Sequence, residues 1–558
     1  MEKIRFSRLL GDGAILQRNK EIHIWGYAWA HKKVKVYLLP DGDNEENLGE
    51  EVKCVCDEKG RFDAVFEKRQ AGGPYAVRAV TVTDEGEPEE LSSVEIGNVY
   101  VGDVFVISGQ SNMEFPMARV RDTYPEEWDN PYDEFIRTFK VVENGVFGEP
   151  VEDVLTGEWL EFNKESIDNY SAVGYFMAKR LRQSEDVPVG LINVSLGGAP
   201  IEAFMSREML EGFDETLADA DRFLDEEYRK KVLEENDFNS VSWHSFLDEN
   251  DTGLSEKWED GKKILCEGSD FMVPEYFSDT ELSGLIGSVW FARKFNVPKE
   301  YAGKEALLWF GTITDYDFCY VNGKMIGTTP YCYPPRRYPI PEGLLKEGEN
   351  TIVFRICVEK GFGRITPGKL LGVIFGQGRR ISDGFVEKIQ GAEKVIELSG
   401  VWKYLKGCCT DETKEINPCE ETVFVNWKPT ALFNGMLAPV TNYPIKAFCF
   451  YQGETNCPRA FEYAKLTARQ VEGYRKLWKD ENLPYICVKL PNFSARVEES
   501  SYDGTRAWRN LQSAQEEVRK LPDAYCVDVF GSGENNDLHP QRKEPVGRAI
   551  AEVVIGLS

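Results

Sequence analysis

The sequence predicts a multidomain chain: a small β-sandwich followed by an α/β domain that a second β-sandwich interrupts. Three observations carry this reading. Short alternating strands separated by turn residues fill residues 1–98. Strand and helix patterns alternate from about Asn98 and resume near residue 425. Between those halves, residues of about 285–405 return to strand-and-turn patterning. A chain of 558 residues is also too long for one core. The expected divisions are 1–98 for the first sandwich, 99–236 and 425–558 for the α/β domain, and 237–424 for the insertion.

Each element has a local cause. In the first sandwich, Glu21–Trp25, Lys33–Leu38, Arg61–Phe66 and Tyr75–Val82 alternate apolar and polar residues. Turn signals lie between them at Pro40-Asp41-Gly42, Glu58-Lys59-Gly60 and Gly72-Gly73-Pro74. In the α/β part, Val104–Ser108 and Val189–Val194 are apolar runs of buried strands, and Ile136–Val142 is a further strand. Ser171–Leu181 reads as a helix, with Val173, Phe176, Met177 and Leu181 on one face. Residues of about 207–262 are acidic and helix-like, a solvated face. The insertion carries strands at Val289–Phe295, Glu305–Phe310, Phe318–Val321, Thr351–Val358 and Val401–Tyr404. After it come strands Ile445–Tyr451, Tyr485–Leu490 and Ala524–Phe530, and helices Arg459–Lys479, Arg506–Lys520 and Glu544–Val554. For one sheet to form around an insertion, the chain near Asp237 and near Phe424 must meet.

Lys and Arg number 66 against 94 Asp and Glu, a net charge of −28. Such a chain lacks the basic surface that binds nucleic acid or an anionic membrane, so neither partner is expected. An anionic small substrate stays possible, because local arginines can overcome the mean field. Thirteen cysteines without regular spacing, with Cys54 and Cys56 or Cys408 and Cys409 too close for ordinary bridges, read as reduced thiols. No Cys/His group has zinc spacing, so no metal is expected. No apolar run reaches the roughly 18 residues of a membrane span. The N-terminus lacks an apolar h-region, and a cytoplasmic location is the expectation.

Chemistry gathers at strand ends. Val104–Ile107 stops at Ser108-Gly109-Gln110-Ser111-Asn112, and Val189–Val194 stops at Ser195-Leu196-Gly197-Gly198. Ile445–Tyr451 stops at Gln452-Gly453-Glu454-Thr455-Asn456, and Asp537 and His539 share a polar loop near the C-terminus. In open α/β sheets, ligands sit beyond the carboxyl ends of strands. Acyl transfer from an ester needs a hydroxyl nucleophile and an imidazole base. It also needs a carboxylate to orient that base and N–H donors for the oxyanion. Ser111, His539, Asp537, Gly198 and an amide from Gln452 or Asn456 match those needs; the chain has only four histidines.

Gly109-Gln110-Ser111-Asn112-Met113, Tyr451-Gln452-Gly453-Glu454-Thr455-Asn456 and Asp537-Leu538-His539-Pro540 resemble signature blocks of the sialate O-acetylesterase family, within the SGNH-type hydrolases. Gly11–Arg18, Val187–Asn193 with Gly197–Ala203, and Phe433–Pro439 extend the resemblance. It implies a flavodoxin-like α/β/α SGNH hydrolase domain with Ser111 as nucleophile and His539 as base. The oxyanion donors would be the Ser111 backbone, Gly198 in preference to Gly197, and a Gln452 or Asn456 amide. Many such hydrolases carry their acid three residues before the histidine, where this chain has Asn536; Asp537 is two before it, as in this esterase family. Glu454 reads as a carboxylate holding the loop. No cofactor is implied. The insertion resembles the galactose-binding-like jelly roll of glycosidases, with Tyr331, Tyr333 and Tyr338 near a sugar-stacking loop, and is expected to serve substrate fit rather than chemistry. The implied partner is an O-acetylated carbohydrate, 9-O-acetylated sialic acid by the nearest resemblance. An acetylated xylan or xyloglucan fragment is the alternative. From another class, the chain would be a carbohydrate-binding scaffold with an inactive hydrolase core.

Overall fold

The computed structural model describes residues 4–40, 49–83, 88–129, 131–409, 413, 422–493 and 504–557. The turn read at Pro40-Asp41-Gly42 lies, after Pro40, outside these residues.

The α/β sheet runs in the order Trp159–Phe162, Asp133–Lys140, Val189–Ser195, Pro88–Gly109, Ala447–Tyr451, Tyr485–Val488 and Ala524–Val527. Every pairing is parallel except that of Trp159–Phe162 with Asp133–Lys140. Parallel strands require crossovers, and crossover helices cover both faces. That is why Val104, Phe105, Val106 and Ile107 are all 0% exposed. Ala172–Ser184 lies on one face, where a Cβ on Gly174 would be 2.7 Å from Ile107. Ala460–Trp478 lies on the other, with Tyr474 and Trp478 against the ring of Phe448. Phe448 pairs with Val106, one residue out of phase with Ile107, so the two point to opposite faces.

Connections run to one side of Pro88–Gly109 first and to the other afterwards, so the winding reverses at this strand. Register then brings three ends level, because Gly109 is opposite Ser195 on one side and Tyr451 on the other. The polar turns after all three therefore open at one place.

Pro88–Gly109 is one 22-residue strand shared between two parts of the molecule. Its first half pairs with Gly72–Val82, which continues to Lys33–Pro40 and Glu50–Val55. A second sheet of Arg5–Phe6, Ile22–Tyr27 and Arg61–Phe66 completes the N-terminal layers. Burial alternates along Lys33–Pro40 and Arg61–Phe66, as it must when one face of a strand meets a core and the other water. The chain passes residue 98 within that long strand and residue 237 within helix Glu226–Glu249, with no break in secondary structure at either.

The insertion is all antiparallel. Six strands, ordered Ser269–Val273, Gly400–Lys406, Gly287–Val297, Gly348–Val358, Tyr316–Val321 and Lys324–Thr329, form one sheet. Arg336–Ile340, Ala306–Phe310, Leu371–Phe375 and Lys394–Glu397 form the second, smaller main sheet, and minor sheets of three and two strands accompany the pair. Phe310 of the smaller sheet packs on Phe354 and Trp402 of the larger, at 4.5 and 5.7 Å between ring centres. The end of helix Glu226–Glu249 packs in a separate cluster, where buried Trp243 and Leu247 meet Tyr316, Cys357 and Cys408. At the mouth of the insertion the two passages meet: Asn236 donates to the Val423 carbonyl at 2.8 Å and accepts from the Val423 N–H at 3.1 Å. All twelve cysteines of the described residues are free thiols.

Candidate active site

At the end of the long strand, Gly109 has φ +131°, and a Cβ there would fall 2.1 Å from the Tyr451 carbonyl oxygen. Glycine thus lets the chain turn while neighbouring strand ends hold it. Gln110 N–H donates to Tyr451 and Leu196 N–H to the Gly109 carbonyl. Ser111–Glu114 follows as a single helical turn. Ser111 Oγ lies 2.7 Å from His539 Nε2, across 428 residues of sequence.

The sequence blocks interlock around this pair. Gln110 Oε1 accepts from Gln452 Nε2, Gly453 N and Thr455 N. Asn112 Nδ2 donates to Glu454 Oε1 at 2.5 Å and to the Leu538 carbonyl at 3.0 Å, and its Oδ1 accepts from Lys543. Thr455 Oγ1 donates to the Gly198 carbonyl at 2.8 Å. Burial pushes the Glu454 carboxyl pKa up. It holds Asn112 in the loop, the place the sequence suggests for it.

The oxyanion candidates separate into two groups. Ser111 and Gly198 line the cavity described below. Gly198 has φ +76°, and a Cβ there would sit 1.9 Å from the Trp427 indole, so no larger residue fits. The adjacent Gly197 N–H is occupied by Glu114 Oε2 at 2.7 Å. Gln452 and Asn456 are buried behind the wall. Gln452 Nε2 donates to Asn456 Oδ1, Gln110 Oε1 and the Ala199 carbonyl, while Asn456 Nδ2 donates to Glu202 Oε2. Both amides are engaged in joining the blocks and neither reaches the cavity.

Asp537 also sits differently from an acid bonded to the imidazole. Its Oδ1 accepts from the His539 backbone N–H at 2.9 Å, and its Oδ2 accepts from Lys369 Nζ at 2.8 Å. His539 Nδ1 is buried and has no hydrogen-bond partner among the described residues. The ring is held instead by packing, stacked on Phe115 at 6.0 Å and meeting Tyr333 edge-on at 4.6 Å. Burial lowers the imidazole pKa to about 3, with the Lys543 and Arg119 charges acting in the same direction. Lys543, itself fully buried, is lowered to about 7.

Ser111 and His539 open into a cavity of about 1500 Å³. Its walls include Phe115 and Arg119 after the nucleophile, Phe424 and Trp427 where the insertion ends, and Tyr331 and Tyr333 within the insertion. Phe424 and Trp427 are stacked at 4.0 Å. Arg119 lies over the Phe115 ring and makes no ion pair among the described residues. The arrangement suits nucleophilic attack on an ester carried by a polyhydroxylated ligand: a hydroxyl paired with an imidazole, the Ser111 and Gly198 backbones on the cavity wall, and aromatic walls.

No family model matches the chain. Sialate O-acetylesterase of Rattus norvegicus is 27% identical over 216 residues, covering 37% of this chain and 38% of the rat protein. The human protein of the same name is 25% identical over 217 residues, covering 37% of this chain and 40% of its own length. Over these stretches the chain is similar to the sialate O-acetylesterases. Matched stretches span two fifths or less of these relatives' length. The crystal structure of a carbohydrate acetylesterase from Xanthomonas citri, 20% identical, superposes over 99% of this chain and 76% of that one with a TM-score of 0.54, so the two share a fold.

The sequence singles out Ser111, His539, Asp537 and Gly198, and the structure brings them within one site. Sequence reading missed Lys369, Glu534, Lys543 and Arg119. A lone lysine or arginine carries no local mark of burial, and Lys369 lies 168 residues from Asp537. Lys543, four residues after His539 at the start of a helix, and Glu534, five before it, were near enough in sequence to suspect.

Proposed function

We propose that this chain is a serine-dependent carbohydrate O-acetylesterase. The observation that carries this reading is the 2.7 Å contact between Ser111 Oγ and His539 Nε2 at the floor of the large cavity. In the reaction, His539 takes the Ser111 proton as Oγ attacks the acetyl carbonyl. The Ser111 and Gly198 N–H groups receive the oxyanion. His539 returns the proton to the departing sugar oxygen, and a water then repeats the sequence to release acetate. Asp537 orients the base through the His539 main chain. The depressed imidazole pKa keeps the base neutral, hence competent, at pH 7.

The same proposal reads the α/β domain as flavodoxin-like and of the SGNH type, supported by the reversal of winding at the Ser111 strand. It reads the insertion as a galactose-binding-like jelly roll, supported by its two main antiparallel sheets. Its divisions follow the meeting of Asn236 with Val423. A reducing, cytoplasmic setting accords with the free thiols. The favoured substrate is 9-O-acetylated sialic acid. The names of the relatives support it, and so does Arg119, an unpaired cation in the cavity suited to a sugar carboxylate. Aromatic walls at Tyr331, Phe424 and Trp427 favour a second reading, a neutral acetylated xylan or xyloglucan fragment.

Acetate release from O-acetylated sialic acid, its carboxyl methyl ester and acetylated xylo-oligosaccharides tests both. The acidic-sugar reading expects the free acid to be preferred and Arg119→Gln to abolish that preference. Equal rates on acid and methyl ester overturn it. No acetate from any ester, with the fold intact, leaves the carbohydrate-binding scaffold.

A further inference from the structure

The insertion contributes neither Ser111 nor His539, yet it grips the segment that carries His539. Asn536 Nδ2 donates to the carbonyls of Pro367 and Phe385, at 2.7 and 3.0 Å, and Asn535 N–H donates to Gly384. Beneath these bonds lies a buried ionic cluster that crosses between the two parts. Lys369 Nζ is 2.8 Å from Asp537, 3.0 Å from Glu534 and 3.9 Å from Glu387. Arg380 bonds both oxygens of Glu534 and reaches Glu387 at 3.1 Å. Lys369, Arg380, Glu387 and Glu534 are each no more than 3% exposed at the side chain.

We propose that Lys369, a residue of the inserted sandwich, is a positioning residue for the catalytic histidine. This rests on the Ser111–His539 esterase reading. The path is short and continuous. Lys369 fixes Asp537 Oδ2, Asp537 Oδ1 holds the His539 N–H, and His539 Nε2 meets Ser111. Without the Lys369 ammonium, Asp537 and Glu534 become like charges with one cation fewer between them, in a site largely withdrawn from water. Such carboxylates separate or take up protons. Either response releases the His539 main chain, and a displacement near 1 Å at a reacting group costs about 10²-fold in rate. The role differs from substrate fit, because it acts on every ester alike.

The test uses the full chain with 4-nitrophenyl acetate, a minimal acetyl ester that carries no sugar. Lys369→Met is expected to lower kcat by about 100-fold with KM within twofold of wild type. Lys369→Arg keeps the charge but spreads it over a planar fork, and is expected to lose about tenfold. Asp537→Asn together with Lys369→Met removes both members of the pair and is expected to exceed Lys369→Met in kcat, since no unpaired carboxylate remains. Near-UV circular dichroism at the assay temperature establishes that each variant is folded. A lysine that merely joins two domains lowers the melting temperature and leaves kcat of the folded protein unchanged. A kcat for Lys369→Met within threefold of wild type therefore overturns the proposal. Should that variant not fold, an unchanged kcat in Lys369→Arg overturns it equally. Ser111→Ala, measured in parallel, separates the two readings. If it stays active, the esterase reading fails; if it is inactive while the lysine variants are normal, only the positioning role fails.

Discussion

Lowering the pH provides a quantitative test of the buried base. An exposed imidazole titrates near 6.5, which places the expected loss of activity at roughly pH 6–7 from sequence alone. Burial in this structure displaces the His539 pKa to about 3, aided by Lys543 and Arg119. The neutral form is the base, so activity is present above the folded pKa and lost as pH falls through it. At pH 5.5 an ordinary imidazole would be only about one-tenth neutral, whereas His539 would be essentially all neutral. The ratio of kcat/KM at pH 5.5 to that at pH 8 should therefore be about 1 rather than ~0.1.

The same displacement enters stability with a definite sign. Between 6.5 and about 3 the unfolded chain binds a proton that the folded chain refuses. The resulting penalty is absent above 6.5, grows as pH drops through that window and reaches ~5 kcal/mol at its lower end. The assay, steady-state hydrolysis of an acetyl ester, is thus confined to pH values where near-UV circular dichroism stays native. Lys543→Met removes one cause of the displacement and should move the acid limb toward neutral pH. A limb of unit slope centred at 6–7 in the wild type, or a shift to lower pH in Lys543→Met, would refute the argument.

Further outcomes follow from the same geometry. Ser111→Ala should lower acetyl ester hydrolysis by roughly 10⁴–10⁶-fold with an unchanged circular dichroism spectrum; turnover within tenfold of wild type would remove the nucleophile assignment. Gly198→Ala should reduce kcat by about 10²-fold, because the new Cβ meets Trp427 and the φ of +76° becomes strained, and normal kcat would exclude Gly198 as an oxyanion donor. The three tyrosines grouped by sequence should behave differently. Tyr333→Ala should slow even a minimal ester, since its ring meets His539. Tyr331→Ala, at the exposed rim, should affect only large glycans. Tyr338→Phe should cost ~1–3 kcal/mol of stability at constant kcat, because Tyr338 donates to buried Asp317 inside the insertion. Equal kcat losses in all three would show that the loop acts as one unit.

Much of the fold was legible because its signals are local. Val104–Ile107 and Ala447–Tyr451 are apolar without interruption, which only strands covered on both faces sustain. The alternation along Lys33–Pro40 and Arg61–Phe66 marks strands with one wet face. Chain order also forced the insertion to begin and end together, and Asn236 and Val423 do meet. Residue type and position beyond strand ends pointed to Ser111, Gly198 and His539 for the same reason: a parallel sheet gathers its carboxyl ends.

Direction and burial were decided by tertiary structure. An amide in Gln452 or Asn456 can face a ligand or a neighbour with equal chemical ease, and here packing between the three blocks turned both inward. Asp537 stands two residues before His539, close enough to bond either its ring or its N–H, and Lys369 draws the carboxylate away from the ring. Nothing local to Lys369, Arg380 or Lys543 marks them as buried, since a charge is held out of water only by partners that the fold supplies. The sequence by itself determined which chemical groups stand at the ends of which strands. Only the tertiary structure decided which of them touch, because hydrogen-bond direction, desolvation and the grip of the inserted sandwich on the His539 segment depend on contacts across more than a hundred residues.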